Sequence, residues 1–204
     1  ERDPGRRLKT FWRMFVEKAN EQLSGIGINL GAPLNCKPHI DVEKGEREII
    51  KNQFKNYAKP WVFVCPRSNT YAVRQVPDWI WRDAAAHTLG TKFWLGTTPA
   101  PQNFIDLHAQ HFDHIILWLS VADLLVSVDT GPMHVAAALG VPVVAINQSS
   151  APPLHLNDQN DFTEVAPPGL DCLNCQQNVC PKNSWLPPCQ NVPPETIAAA
   201  ANWK

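Results

Sequence analysis

Short apolar runs alternate with amphipathic segments through the middle of the chain. Four segments are short, apolar and rich in β-branched or aromatic residues, which predicts strands: Trp61–Val64, Lys92–Leu95, Leu124–Val128 and Val143–Ile146. Apolar positions at helical spacing, or helix-start residues, predict helices in five places: Leu8–Leu23, about Val42–Tyr57, from Pro77 and Asp78 onward, Asn103–Gln110 and Pro132–Leu139. Nine of the 19 prolines follow position 150, so the C-terminal quarter is predicted to be loop-rich rather than helical.

Strands and helices that alternate at this interval indicate βαβ units. The predicted fold class is therefore α/β, a Rossmann-like parallel sheet flanked by helices, with a Cys- and Pro-rich C-terminal segment. We divide the chain into a helical linker over 1–33 and one sheet domain over 34–204, whose Cys-rich tail spans 170–191. Ligands of such sheets bind at the carboxyl ends of the strands.

Charge and composition exclude several classes of protein. Lys and Arg number 18 against 19 Asp and Glu, and this balance argues against a nucleic-acid-binding domain. Eight Trp and eight Phe argue against disorder. No apolar run is long enough to span a bilayer, and the charged N-terminus is not that of a signal peptide. These observations predict a cytoplasmic protein.

The segment from Val126 to Pro142 is the most informative part of the chain. It reads as a strand, a tight turn and a helix start, with Asp129 or Thr130 as the cap, Gly131 open to a ligand and Pro132 in the first turn. The amides of Gly131, Met133 and His134 would then face outward at the positive end of the helix dipole. The turn predicts an anion site, although a capped connection without a ligand fits it equally well.

The pattern D-T-G-P-x-H-x-A-A-A-L-G-x-P in this segment resembles the signature of glycosyltransferase family 9, the heptosyltransferases. Two further stretches agree in order: Val62–Trp79, and a closing C-x2-C-x4-C-P. The resemblance covers about residues 23–204. It implies a GT-B fold, in which two Rossmann-like domains face each other, with this chain as the C-terminal, donor-binding domain.

The resemblance also implies a set of site residues. Asp129, Thr130, Gly131 and His134 would bind the donor diphosphate, with Arg74 at a position where the family usually has Lys. The loop amides of Ser68, Asn69 and Thr70 would add donors. His134 would act as a neutral donor rather than a base. From the residues alone, a solvated loop residue is the better interpretation of Arg74, and a core histidine bonded to a carbonyl is the alternative for His134.

The implied function is transfer of a sugar from a nucleotide-diphospho-sugar such as ADP-heptose to a lipopolysaccharide-type acceptor, a glycan or lipid-linked molecule, with inversion. The catalytic base would belong to an absent N-terminal acceptor domain or a partner chain. No metal or other cofactor would be required, and the protein would be at most peripheral at the inner face of the membrane. The acidic residue that the family usually places after the second strand is absent from 96–101, which leaves the nucleoside open. The alternative is a non-catalytic nucleotide-binding or interaction module derived from such an enzyme.

Four of the six cysteines fall close together in the C-terminal segment, at Cys172, Cys175, Cys180 and Cys189. Four thiolates would suit tetrahedral zinc, but the spacing is not that of two C-x2-C arms. Disulfides and reduced, packed thiols are the other interpretations. Among the tryptophans, Trp185 is the one for which we expect an exposed role.

Overall fold

A computed structural model describes residues 39–68, 72–107, 111–150, 161–182 and 185–202, together with Lys18 and Glu21. The helices in these ranges are α1 (Lys44–Phe54), α2 (Asp78–His87), α3 (Phe112–Leu119), α4 (Gly131–Ala138) and α5 (Pro194–Asn202), and Pro188–Gln190 form a 3-10 turn. The strands are β1 (Trp61–Cys65), β2 (Thr91–Trp94), β3 (Ile105–Asp106), β4 (Leu124–Val128), β5 (Val143–Ile146) and β6 (Phe162–Val165).

The strands form one six-stranded sheet in the order β3-β2-β1-β4-β5-β6, and every neighbouring pair is parallel. The predicted α/β class and the four predicted strands are therefore confirmed. From β1 the chain builds outward through β2 and β3, and it then returns to add β4, β5 and β6 on the other side of β1. The order reverses between β1 and β4, which is where α/β sheets bind their ligands.

Helices cover both faces of the sheet. On one face, α1, α3 and α4 enclose an aromatic cluster in which the rings of Phe63 and Phe93 stack with centroids 4.9 Å apart. On the other face, α2 and α5 cover β1, β4 and β5, and Trp81 meets Trp94 edge to face. All residues of β1, β4 and β5 are buried, as expected of parallel strands packed on two sides. No helix in the described ranges is both long and apolar enough to cross a membrane.

One prediction about local structure is wrong. Asn103–Gln110 is predicted as a helix, but Asn103 has a φ of 74°, outside the right-handed helical region, and Ile105–Asp106 pair with β2 as a strand. The C-terminal quarter is mostly loop in the described ranges, as predicted, but it also contains the strand β6 and the helix α5. Pro194 is tolerated there because it stands in the first turn of α5, where its missing N–H is not needed.

The N-terminal part of the chain is described at two residues only. Lys18 and Glu21 are helical, and the rest of the predicted helix Leu8–Leu23 lies outside the described residues. The division of the chain into 1–33 and 34–204 therefore stays a prediction. The predicted helix at Val42–Tyr57 is observed in shorter form as α1.

The C-terminal helix is fixed to the end of α2 by one side chain. The amide of Asn202 donates to the carbonyl of His87 at 2.6 Å and accepts from the N–H of Leu89 at 2.8 Å. These bonds satisfy the carbonyl of the last residue of α2 and the N–H of Leu89 just after the helix, and the last carbonyls of a helix have no partners within it. They join parts of the chain that are more than 110 residues apart.

Replacing Leu125 by Ala should lower the free energy of unfolding by roughly 2–5 kcal/mol, because Leu125 is fully buried in the central strand β4. The measurement is urea denaturation followed by far-UV circular dichroism. Ile49→Ala is the matched control, since Ile49 is exposed on α1 and its truncation should change stability by less than about 0.5 kcal/mol. Equal losses in the two variants would contradict the assigned core.

Candidate functional site

The candidate site lies at the carboxyl edge of the sheet, around β1 and β4. The parallel registers pair Cys65 with Ser127 and Val128 with Ile146. The residues that follow these strands therefore emerge side by side, with Asp129 next to Asn147. The loop after β1 comes to the same edge.

The turn from β4 into α4 has the predicted order but not all of the predicted bonds. Thr130 is the N-cap residue with an extended backbone, yet its side chain makes no capping hydrogen bond. Its hydroxyl instead lies 3.5 Å from the sulfur of Cys65 and 3.4 Å from the hydroxyl of Ser127. The N–H of Met133, predicted to face a ligand, donates to the carbonyl of Thr130 at 3.1 Å. The amides of Gly131 and His134 stay the predicted anion donors.

Three of the predicted residues meet through a buried carboxylate. Asp129 is 5% exposed, and its Oδ2 lies 3.2 Å from Nη1 of Arg74. Its Oδ1 lies 3.6 Å from Nε2 of His134, which extends from the first turn of α4. Arg74 is therefore not a solvated loop residue: its side chain is 19% exposed and forms an ion pair across the strand ends. A buried carboxylate without such a cation would be strongly destabilising.

The loop between β1 and α2 presents Arg74 by folding back on itself. Arg67 and Gln75 form an antiparallel bridge, and the N–H of Ser68 donates to the carbonyl of Arg74 at 2.8 Å. The guanidinium of Arg67 reaches Asp78 at 2.5 Å and so attaches the loop to the start of α2. Ser68 thus lies in the same hairpin as Arg74. Asn69 and Thr70, the other predicted loop donors, lie outside the described residues.

Gly131 has room for a ligand beside it. A Cβ placed on Gly131 would meet only the ring of Phe112, at 3.6 Å, which is an ordinary contact. Phe112, the first residue of α3, is 49% exposed. The sequence did not single it out, because only the fold brings α3 against the start of α4.

A run of buried polar residues follows β5 and was also missed from the sequence. Asn147, Gln148, Ser149 and Ser150 are each no more than 3% exposed. Among the described residues, the hydroxyls of Ser149 and Ser150 and the side-chain oxygens of Asn147 and Gln148 have no hydrogen-bond partner. Buried polar atoms are nearly always bonded, so these groups are hydrogen-bonding positions at this edge of the sheet. The available signal was a polar tetrapeptide directly after an apolar strand.

A carboxylate does reach the edge near residues 96–101, where the sequence shows none. Asp106, at the end of β3, accepts a hydrogen bond from the N–H of Ala100 at 3.0 Å. It comes from the next strand because β3 pairs in parallel with β2 and places Asp106 opposite Trp94. The sequence interpretation missed it because the segment was predicted to be helical.

The C-terminal cysteines are free thiols. No disulfide joins Cys65, Cys172, Cys175, Cys180 or Cys189. Burial, followed by the negative charges of neighbouring Cys180 and Cys175, raises the pKa of Cys189 to about 11. Burial likewise raises the pKa of Cys65. Within the described ranges, no three His, Cys, Asp or Glu side chains are grouped so that they could hold a metal ion.

Comparisons with known proteins bear on the family and the fold. Residues 109–186, which include the turn at Asp129–His134, match the family model for glycosyltransferase family 9 (heptosyltransferase). The fold matches the ADP-heptose lipopolysaccharide heptosyltransferase II of E. coli with a TM-score of 0.62 at 18% identity, covering 81% of this chain and 53% of that one. A family 9 glycosyltransferase from Veillonella parvula DSM 2008 matches at 0.60 and 15% identity, covering 88% and 56%.

A third match is the dodecameric, iron-containing heptosyltransferase TibC in complex with ADP-D-β-D-heptose, at a TM-score of 0.56 and 17% identity, covering 71% of this chain and 44% of that one. The chain thus spans about half the length of the first two structures that it matches. No curated protein sequence matches it.

Alkylation with iodoacetamide should distinguish the thiols of the C-terminal segment. At pH 8 the exposed Cys175 should react first, and Cys189 should react slowly, because a pKa of about 11 against the ordinary 9.0 leaves about a hundredfold less thiolate. Peptide mapping by mass spectrometry gives the rate at each cysteine, and the buried Cys65 is the internal slow control. If all four C-terminal thiols were protected until a chelator was added, a bound metal would replace this assignment.

Proposed function

We propose that this chain binds a nucleoside-diphosphate sugar as the donor half of a glycosyltransferase. The match of residues 109–186 to the family 9 model and the likeness of the fold to heptosyltransferase II support this proposal. The observation that carries the proposal is the convergence of Arg74, Asp129 and His134 at the start of α4. The carboxyl edge of this parallel sheet combines a cation, an imidazole and a helix N-terminus. Together these groups favour the binding of a diphosphate.

In this proposal the diphosphate lies against the first turn of α4. The amides of Gly131 and His134 donate to its oxygens, and the helix dipole adds positive potential. Arg74 supplies the countercharge. Its guanidinium has five N–H donors, and a single carboxylate oxygen cannot use all of them, so the side chain can contact Asp129 and phosphate together. The hairpin that holds Ser68 and Arg74 sets the position of that charge.

Asp129 acts in this site as a positioning residue rather than as a phosphate ligand. A carboxylate repels a diphosphate, and Asp129 is buried behind the groups that it contacts. Its two oxygens face Arg74 and His134, so it holds both side chains beside the first turn of α4. This arrangement explains why an acidic residue belongs in a site for an anion.

The nucleoside is proposed to continue from the diphosphate onto α3. The half-exposed ring of Phe112 lies beside Gly131 and offers a surface for a base to stack on. The buried hydroxyls of Ser149 and Ser150, after the neighbouring strand β5, add hydrogen-bonding groups at the same edge. The proposed donor is an ADP-sugar such as ADP-heptose, since TibC is a heptosyltransferase with that ligand bound.

The proposed reaction is transfer to a hydroxyl of a lipopolysaccharide-type glycan with inversion. The acceptor oxygen bonds to the anomeric carbon as the bond from that carbon to the β-phosphate oxygen breaks, and the electron pair leaves with the nucleoside diphosphate. The acceptor proton passes to a carboxylate outside this domain. Arg74 and the α4 amides stabilise the negative charge that develops on the leaving diphosphate. No step in this scheme calls on a metal.

Calorimetric titration with ADP, UDP and GDP tests the donor site. We expect ADP to bind more tightly than UDP or GDP. Arg74→Ala should weaken ADP binding by about 10- to 100-fold, because it removes a hydrogen bond to a charged group. Gly131→Val should abolish binding while the thermal unfolding midpoint stays near that of the wild type, because the side chain would fill the space beside the turn. Arg82→Ala is the matched control, since Arg82 lies on the outer surface of α2. Unchanged affinity in both site variants would refute the proposal.

Phe112→Ala should weaken ADP binding severalfold to tenfold and leave the affinity for inorganic pyrophosphate unchanged, because only ADP has a base to stack. The same calorimeter measures both ligands. Tyr57→Ala serves as the control for an exposed aromatic ring away from the site. Equal weakening of ADP and pyrophosphate would place Phe112 at the phosphates instead of the base.

A further inference from the structure

A groove outside the proposed donor site lies between the Arg67–Gln75 hairpin and the C-terminal segment. Its cavity volume is about 170 Å³ and it is open to solvent. This volume is below the roughly 300–1,000 Å³ typical of drug-sized ligand sites, so the groove would hold a single small unit. One wall is formed by Ala72, Val73 and Gln75 from the hairpin. The other is formed by residues of the Cys-rich segment and its continuation: Asn178, Val179, Cys180, Trp185, Pro187 and Gln190.

The two walls are held together by buried amides. The Nε2 of Gln148 donates to the carbonyl of Gln75 at 2.7 Å and to that of Cys189 at 3.3 Å. The Nε2 of Gln190 donates to the carbonyl of Ala72 at 2.7 Å. Gln148 and Gln190 are 1% and 3% exposed. The groove is therefore formed in advance of any ligand, which reduces the entropy lost when a ligand binds.

The lining combines an aromatic face with neutral amides. Trp185 is 88% exposed, and Val179 beside it is 68% exposed. Gln75 and Asn178 contribute amide groups, and no Asp, Glu, Lys or Arg is among the lining residues that the structure describes. An indole face next to neutral donors and acceptors suits a sugar, whose C–H face packs on the ring while its hydroxyls bond to the amides. The lining offers no charge to a phosphate or an acidic peptide.

The groove shares its wall with the donor site. Val73 and Gln75, which line the groove, are the two chain neighbours of Arg74, whose guanidinium contacts Asp129. A saccharide in the groove would therefore lie next to the hairpin that presents the proposed leaving-group cation.

We propose that this groove binds a neutral saccharide unit of the acceptor glycan, with its sugar ring packed on Trp185. The proposal rests on the proposed transferase function for its assignment to the acceptor.

The test is a titration of the full chain, labelled at its indole nitrogens, with maltotriose and with methyl α-D-mannopyranoside. The Trp185→Phe variant assigns the Trp185 indole signal by its absence. We expect that signal to shift saturably with at least one saccharide, and saccharide affinity measured by saturation-transfer difference to fall about tenfold in Trp185→Ala. Trp79→Ala, which removes another exposed tryptophan outside the groove, should leave saccharide affinity unchanged.

Titration with ADP in the same variants separates this proposal from the donor site. Trp185→Ala should bind ADP as the wild type does. ADP binding with no saccharide shift at Trp185 would overturn the groove proposal and leave the donor proposal in place. Saccharide binding without ADP binding would overturn the donor proposal and leave the saccharide groove in place. Self-association that depends on Trp185, without a saccharide effect, would assign the groove to a second copy of the chain and overturn the proposal.

Discussion

The parallel pairing of β1, β4 and β5 is the constraint on which the candidate site depends. Because both faces of these strands are buried, polar side chains are almost confined to the residues that follow each strand. Parallel direction then brings those residues to one edge. Arg74, Asp129 and Gln148 come from three different loops, yet all of them lie at this edge because their strands are neighbours. A change of register by one residue would turn each strand's side chains to the opposite face and separate them.

Within that edge, the buried charge of Asp129 determines the local arrangement. Burying a carboxylate costs several kcal/mol unless a cation and hydrogen-bond donors surround it. The Asp129 charge therefore favours conformations in which Arg74 and His134 lie next to it. The hairpin that carries Arg74 is in turn closed by backbone bonds and held by Gln148 and Gln190. The proposed donor site and the proposed saccharide groove therefore depend on one short loop, and each stabilises the loop for the other.

Local patterns predicted the parts of the fold that local forces determine. β1, β4 and β5 are continuous apolar runs, and the start of α4 has its glycine and proline in sequence order, so both were predictable. The short strand β3 was not, because two residues acquire strand geometry only by pairing with β2. The helix α5 was obscured by the prolines before it. At the site, the family resemblance brought Arg74 and Asp129 together, but their direct contact spans 55 positions and no spacing rule reveals it. Phe112, Asp106 and Gln148 were missed for the same reason.

The hydrogen bonds between Asn202 and the end of α2 affect how the chain folds during synthesis. The face of the sheet around Val62, Val126 and Trp81 is covered in part by α5, and Asn202 attaches that helix to α2. A ribosome makes α5 after all six strands, so this apolar face stays open while the sheet can already assemble. Chaperone binding during synthesis should therefore be concentrated on nascent chains that end before residue 194. Expression fragments that end before residue 194 would lack α5, keep the same face uncovered and be prone to aggregate.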